Sequence, residues 1–131
     1  MVDKLNLKKI EKSFKPTNDY KCSVSKKGIV ASDLTNATKA GIKMLEKGGN
    51  AVDAACAVAL ALGVCEPQAS GIGGQSMVIA HIDGKTIAID GSSRAPSLAH
   101  SSHYKWKKNR LLGYKATTVP STLALIGHLN E

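Results

Sequence analysis

Aromatic side chains make up 4% of this 131-residue chain, with one Trp and one Phe. So few rings leave little material for stacking on nucleic-acid bases. Arginine is also scarce, occurring only as Arg94 and Arg110. No apolar run reaches the roughly 18 to 20 residues that span a bilayer; the longest, Ala51 to Val64, holds about fourteen, so no membrane partner is expected. Cys22, Cys56 and Cys65 are an odd number with no paired spacing, and two lie in or beside that apolar run. They read as reduced structural thiols rather than a disulfide framework. Residues 1–21 have no apolar stretch of secretory-signal length, and Lys4, Lys8, Lys9, Lys12 and Lys15 punctuate them. With the first Met as the native start, the expectation is a cytoplasmic protein.

Acidic residues are outnumbered 10 to 18, for a net charge of +8. The imbalance is +5 over residues 1–27, −1 over 28–103 and +4 over 104–131, so the middle of the chain is nearly neutral. The run Lys105-Trp106-Lys107-Lys108-Asn109-Arg110 sets a tryptophan among cations, as a nucleic-acid contact would. Solvated loops commonly carry such runs and no nucleic-acid motif accompanies this one, so no nucleic-acid partner is expected. A 43% hydrophobic content at this length suits one small domain that buries roughly two-thirds of its unfolded surface.

The stretch from Lys47 to Gly74 organises the rest. Gly48-Gly49 suits a helix C-terminus, and Asn50 with Asp53 opens the next helix at once. From Ala51 to Val64 that helix is apolar on every face apart from Asp53, which predicts a core helix covered on all sides. Gly63 and Pro67 mark its end. Upstream, Gly28-Ile29-Val30-Ala31-Ser32 reads as a short strand and Thr35 as an N-cap. Ala37, Ala40, Gly41, Met44 and Leu45 then form one helical face. Downstream, Met77 to Ile82, the turn Asp83-Gly84 and Thr86 to Ile89 predict a β-hairpin at about 76–90. Beyond Ala99 the pattern weakens: residues 101–113 read as loop or irregular helix, and a final helix starts near Leu123.

Lys47-Gly48-Gly49-Asn50-Ala51-Val52-Asp53-Ala54-Ala55, then Glu66-Pro67, Ser70-Gly71-Ile72-Gly73-Gly74, Asp90-Gly91 and Ala95-Pro96, together resemble the N-terminal part of the γ-glutamyltransferase family. The resemblance runs from about Gly28 to Glu131. It implies an α/β fold that is part of an αββα N-terminal nucleophile hydrolase sandwich. It also divides the chain into a basic extension over 1–27 and an N-terminal fragment of the family's large subunit over 28–131.

The implied activity of the parent protein is transfer or hydrolysis of γ-glutamyl groups, as on glutathione, through an acyl-enzyme and without a cofactor. The family's nucleophile is a self-exposed threonine at the head of the small subunit, outside this chain. No catalytic residue is therefore expected here, and the chain alone should be inert. Thr117-Thr118 is no substitute, because the following Val119-Pro120-Ser121-Thr122 resembles a large-subunit Val-Pro-Gly-Thr segment, with Ser121 where glycine is usual. The implied partners are the donor, the remainder of the large subunit and the small subunit. The alternatives are a related acylase fragment, or a self-standing non-catalytic domain.

Arg94 is the one candidate binding residue. Its planar fork suits a bidentate grip on a donor's α-carboxylate. On the residues alone, an exposed arginine paired with Asp90 is the simpler reading; the resemblance favours the donor, since the family uses an arginine just before Ala-Pro. Many relatives carry that arginine at the position of Ser92, followed by glutamate. The role then shifts to Arg94 with altered geometry, or donor specificity differs. Gly71-Ile72-Gly73-Gly74 follows a helix and opens a strand, the reverse of a dinucleotide fingerprint, and reads as a tight turn with close backbone packing. Gln75 stands where many relatives have a third glycine. His81, His100, His103 and His128 lack the paired spacing of a metal site, and none is expected.

Overall fold

The computed structural model describes residues 23–130. Helix α1, Thr35–Glu46, is followed by α2, Ala51–Cys65, then by strands β1, Ser76–Ile82, and β2, Lys85–Gly91. A 3-10 turn over Ser101–Tyr104, the short helix α3, Lys107–Leu111, a second 3-10 turn over Tyr114–Ala116 and helix α4, Thr122–Leu129, complete the chain. The basic run thus becomes a loop and one short helix, with Trp106 exposed. No helix among the described residues is long and apolar enough to cross a membrane.

Between α1 and α2 the chain turns within four residues, by the chemistry that glycine and asparagine permit. Gly48, at φ +90°, donates its N–H to the Leu45 carbonyl, and Gly49 donates to Met44, which closes a Schellman motif. Asn50 Oδ1 then accepts from the N–H groups of Val52 at 2.7 Å and Asp53 at 3.1 Å. The Asp53 carboxylate accepts the Asn50 N–H at 2.7 Å in return, a complete capping box. The two helices pack closely because Gly41 has no side chain: a Cβ there would lie 2.7 Å from Val58 Cγ2 and 3.2 Å from the Ala54 carbonyl.

The hairpin forms as expected. Asp83 and Gly84 both take positive φ, 51° and 76°, the conformation of a two-residue turn that matches strand twist. The register pairs Ser76 with Gly91 and Ile82 with Lys85. Gly91 is where α4 meets the sheet: a Cβ there would sit 2.5 Å from Leu125 Cδ1 and 2.6 Å from the Ser76 carbonyl oxygen.

Three local expectations are corrected. Residues 28–32 are not a strand, because no partner strand lies beside them among the described residues; Ile29 and Val30 instead line a groove against α2. Thr35 is not the N-cap but the first helical residue. The N-cap is Leu34, whose carbonyl accepts the Thr38 N–H together with the Ser32 and Thr38 hydroxyls. The apolar helix is not covered on all sides: it buries Val52, Ala54 and Cys56, while Leu60 is 45% and Val64 81% exposed.

The reason for the last correction lies in what packs on α2. Among the described residues α1 covers one face and α4 makes a smaller contact, which leaves a groove of about 660 Å³ lined by Ile29, Val30, Leu45, Ala54, Val58 and Leu62. Cys56 and Cys65 are free thiols, the first buried and the second exposed. Cys22 and nearly all of the basic extension lie outside the described residues.

Candidate functional site

Three segments distant in sequence meet beside the open end of the hairpin: Gly74-Gln75 before β1, Asp90 to Arg94 at and beyond the end of β2, and Val119 to Ser121 before α4. Arg94 and Val119 form an isolated antiparallel bridge, with the Arg94 N–H donating to the Val119 carbonyl at 3.3 Å and the Val119 N–H donating back at 2.8 Å. Gln75 Oε1 accepts from both the N–H and the hydroxyl of Ser93, at 3.2 and 3.3 Å. The Ser121 N–H donates to the Gly74 carbonyl at 3.1 Å, and its hydroxyl donates to the Gly91 carbonyl. Because the Ser121 hydroxyl is committed to Gly91, α4 begins without a side-chain cap.

These bonds frame a cleft of about 360 Å³ whose lining includes Asp90, Ser92, Arg94, Pro120, Ser121 and His128. The Arg94 backbone is fixed while its side chain is exposed. The simpler reading paired Arg94 with Asp90, and the geometry replaces it. Asp90 Oδ1 instead accepts the Ser92 hydroxyl at 2.5 Å and the Ser92 N–H at 2.9 Å. Those two bonds, the hydroxyl first, hold its carboxyl below the usual carboxylate range. A short Asp-to-Ser turn takes up the acid locally and leaves the guanidinium fork unpaired among the described residues.

The other candidates stay apart from this cleft or contribute differently. The glycine stretch 71–74 is a turn, as expected, and its backbone meets α2, where a Cβ on Gly63 would lie 3.4 Å from Gly71 Cα, and Ser121, whose N–H donates to the Gly74 carbonyl. The side-chain positions of Gly71 and Gly73 are nevertheless open: a Cβ there would meet nothing within 4 Å, and neither glycine has positive φ. His81 pairs with Thr86 across the hairpin at 2.9 Å, and His100 meets His103 edge to face. Among the described residues no three His, Cys, Asp or Glu side chains gather as metal ligands. The Cys56 thiol is pushed up from its ordinary pKa by burial first and by the Asp53 charge second, so it stays protonated. Thr117 and Thr118 are exposed in the segment that runs to the Val119 bridge.

Gln75, Ser93 and Val119 were not marked as partners of Arg94 by the sequence. The signal that existed was weak: two polar residues, Gln75 and Ser121, stand among glycine-rich or turn sequence, and nothing in their spacing says that they face one another.

The sequence profile described as "Gamma-glutamyltranspeptidase" matches residues 37–130. The chain belongs to that family. It is 40% identical over 107 residues to the glutathione hydrolase proenzyme of Escherichia coli, covering 76% of this chain and 18% of that protein. It is 38% identical over 127 residues to the corresponding proenzyme of Bacillus subtilis subsp. natto, covering 88% and 21%. The solved structure of γ-glutamyltranspeptidase from Pseudomonas nitroreducens superposes with a TM-score of 0.76 at 34% identity, over 82% of this chain and 34% of that one. The helices and hairpin therefore share the α/β fold of γ-glutamyltranspeptidases. The chain spans about a fifth of the length of the curated relatives it matches.

Proposed function

We propose that this chain is the N-terminal part of a γ-glutamyltransferase or glutathione hydrolase, and that Arg94 anchors the α-carboxylate of the γ-glutamyl donor. The observation that supports this reading most is the state of Arg94: its backbone is pinned by two bonds to Val119, its side chain opens on a cleft, and Asp90, the acid nearest to it in sequence, is held by Ser92. A cation so placed and left unneutralised suits a small anion. The planar fork suits a carboxylate in particular, because both oxygens accept at once.

In this proposal the nucleophile threonine belongs to polypeptide beyond the chain. Its hydroxyl oxygen bonds to the donor's γ-carbonyl carbon, its own α-amine takes the hydroxyl proton, and the donor's amide nitrogen leaves protonated as the amine. Water or an acceptor amine then releases the γ-glutamyl group. This chain's contribution is to bind and orient the donor, and alone it releases no product from a γ-glutamyl anilide. The uncovered faces of α2 are the surfaces on which the rest of the large subunit and the small subunit pack.

Donor kinetics test the assignment in the full-length polypeptide that carries this chain. Arg94→Ala is expected to lower kcat/KM about ten- to a hundredfold, the worth of a charge-assisted pair. Arg94→Lys keeps the charge but loses the fork, so it should fall between Arg94→Ala and wild type. Unchanged kcat/KM in both variants overturns the assignment.

A further inference from the structure

Gln75 is an exposed amide on the loop before β1, where solvation alone would satisfy it. Its carbonyl oxygen instead takes both donors of one residue, the N–H and hydroxyl of Ser93, 18 positions away in sequence. The next residue is Arg94, whose own N–H and carbonyl are taken by Val119. Successive amides of an extended backbone point to opposite edges, so the stretch that carries the guanidinium is held from two sides.

The loop that bears Gln75 is itself tied down. Gly74 accepts from the Ser121 N–H, and Ser121 lies two residues past Val119. Gly74-Gln75, Ser93-Arg94 and Val119-Ser121 thus close a circuit in which Gln75 supplies the side-chain link to Ser93.

We propose that Gln75 is a positioning residue for donor binding: by clamping Ser93 it holds Arg94 in the orientation that grips the carboxylate. The inference rests on the reading of Arg94 as donor anchor and adds the residue that sets its geometry. Gln75 touches no substrate atom. Its effect is preorganisation, because a side chain whose backbone is already held in place loses less conformational freedom on binding than one whose backbone also moves. The clamp's bonds are exposed, so the effect is smaller than that of Arg94 itself.

Gln75→Met keeps length and shape while removing the acceptor. In the 131-residue chain this variant should speed hydrogen exchange of the Ser93 amide about fivefold, with the capping-box amides of Val52 and Asp53 unchanged. In the full-length polypeptide it should raise donor KM about two- to tenfold with kcat preserved, the span of one modest hydrogen bond. Ser93→Ala, which removes only the hydroxyl bond, should raise KM less, and should add nothing in the Gln75→Met background. An unchanged KM in Gln75→Met, beside a raised KM in Arg94→Ala, overturns the positioning role and leaves the donor reading standing. Additive effects of Gln75→Met and Ser93→Ala also overturn it. An unchanged KM in Arg94→Ala overturns the donor reading, and this inference with it.

Discussion

The helix pair and the cleft junction hold their chain in different ways. Between α1 and α2 every turn-forming bond joins near neighbours: Gly48 to Leu45, Gly49 to Met44, Asn50 to Asp53 and back. At the junction the main bonds join distant segments, Gln75 to Ser93 across 18 residues and Ser121 to Gly91 across 30. Loop closure makes long-range bonds costly to form, and they persist only where packing holds both ends in place. The first region is therefore a local motif that carries its own instructions. The second exists only once the hairpin and α4 have docked.

The sharpest way to break the junction is at Gly91, where sheet and helix touch. Gly91→Ala puts a methyl group 2.6 Å from the Ser76 carbonyl, a backbone atom that cannot rotate away, and 2.5 Å from Leu125 Cδ1. Overpacking of this kind costs about 1 to 3 kcal/mol, and the backbone contact argues for the upper end. A lower urea midpoint with an unchanged m-value is the expected result. A wild-type midpoint would mean that neither β1 nor α4 lies as close to Gly91 as described.

The helix pair should break more gently, at its cap. Asn50→Ala removes the acceptor for the Val52 and Asp53 amides and should cost about 1 kcal/mol. The Schellman turn should survive, because its bonds from Gly48 and Gly49 do not use the Asn50 side chain. Loss of exchange protection confined to the first turn of α2 would confirm that the motif is local. Loss that spreads into α1 would show that the two helices form as one unit.

How much was legible follows this division. The helix start at Asn50 with Asp53 and the Asp83-Gly84 turn were readable because their partners lie within a few residues and the side chains announce them. The segment at 28–32 was misread because strand formation needs a partner ladder, which no property of five β-branched and small residues supplies. The burial of α2 was overread for a related reason: an apolar surface states that a cover is favourable, not that the described residues supply it. The carboxylate of Asp90 went to Ser92 and not to Arg94 through a turn two residues long, a competitor that the Asp-Gly-Ser-Ser run did signal.

The glycine stretch between these regions gives a smaller effect of opposite sign. Gly73 has no positive φ and no neighbour within 4 Å of an added Cβ. In this chain Gly73→Ala should be neutral or stabilising by about 0.5 kcal/mol, by lowering the entropy of the unfolded state. A loss above about 1 kcal/mol in the denaturation midpoint would place the glycine under a local constraint, as at Gly48. Neutrality here together with lost activity in the full-length polypeptide would locate the constraint in whatever approaches the loop from outside the chain.

The smallest expected effect tests the short-range pair of bonds from Ser92 to Asp90 inside the junction. Two bonds from Ser92 hold the Asp90 carboxyl below the usual range, so the charged form is the one the fold favours. The sign follows: a depressed folded-state pKa gives stability that is present above the ordinary carboxylate value, about pH 4, and that fades as pH falls through the lower folded value. Ser92→Ala removes the hydroxyl bond, the larger cause, and should raise the Asp90 pKa toward that ordinary value in a carboxyl-detected NMR titration. Arg94→Ala is the discriminating control. If the guanidinium paired with Asp90, its removal would raise the same pKa; in the arrangement described here it leaves Asp90 unmoved. A response to Arg94→Ala and none to Ser92→Ala would return Arg94 to an ordinary surface ion pair, and its fork would no longer be available to a donor carboxylate.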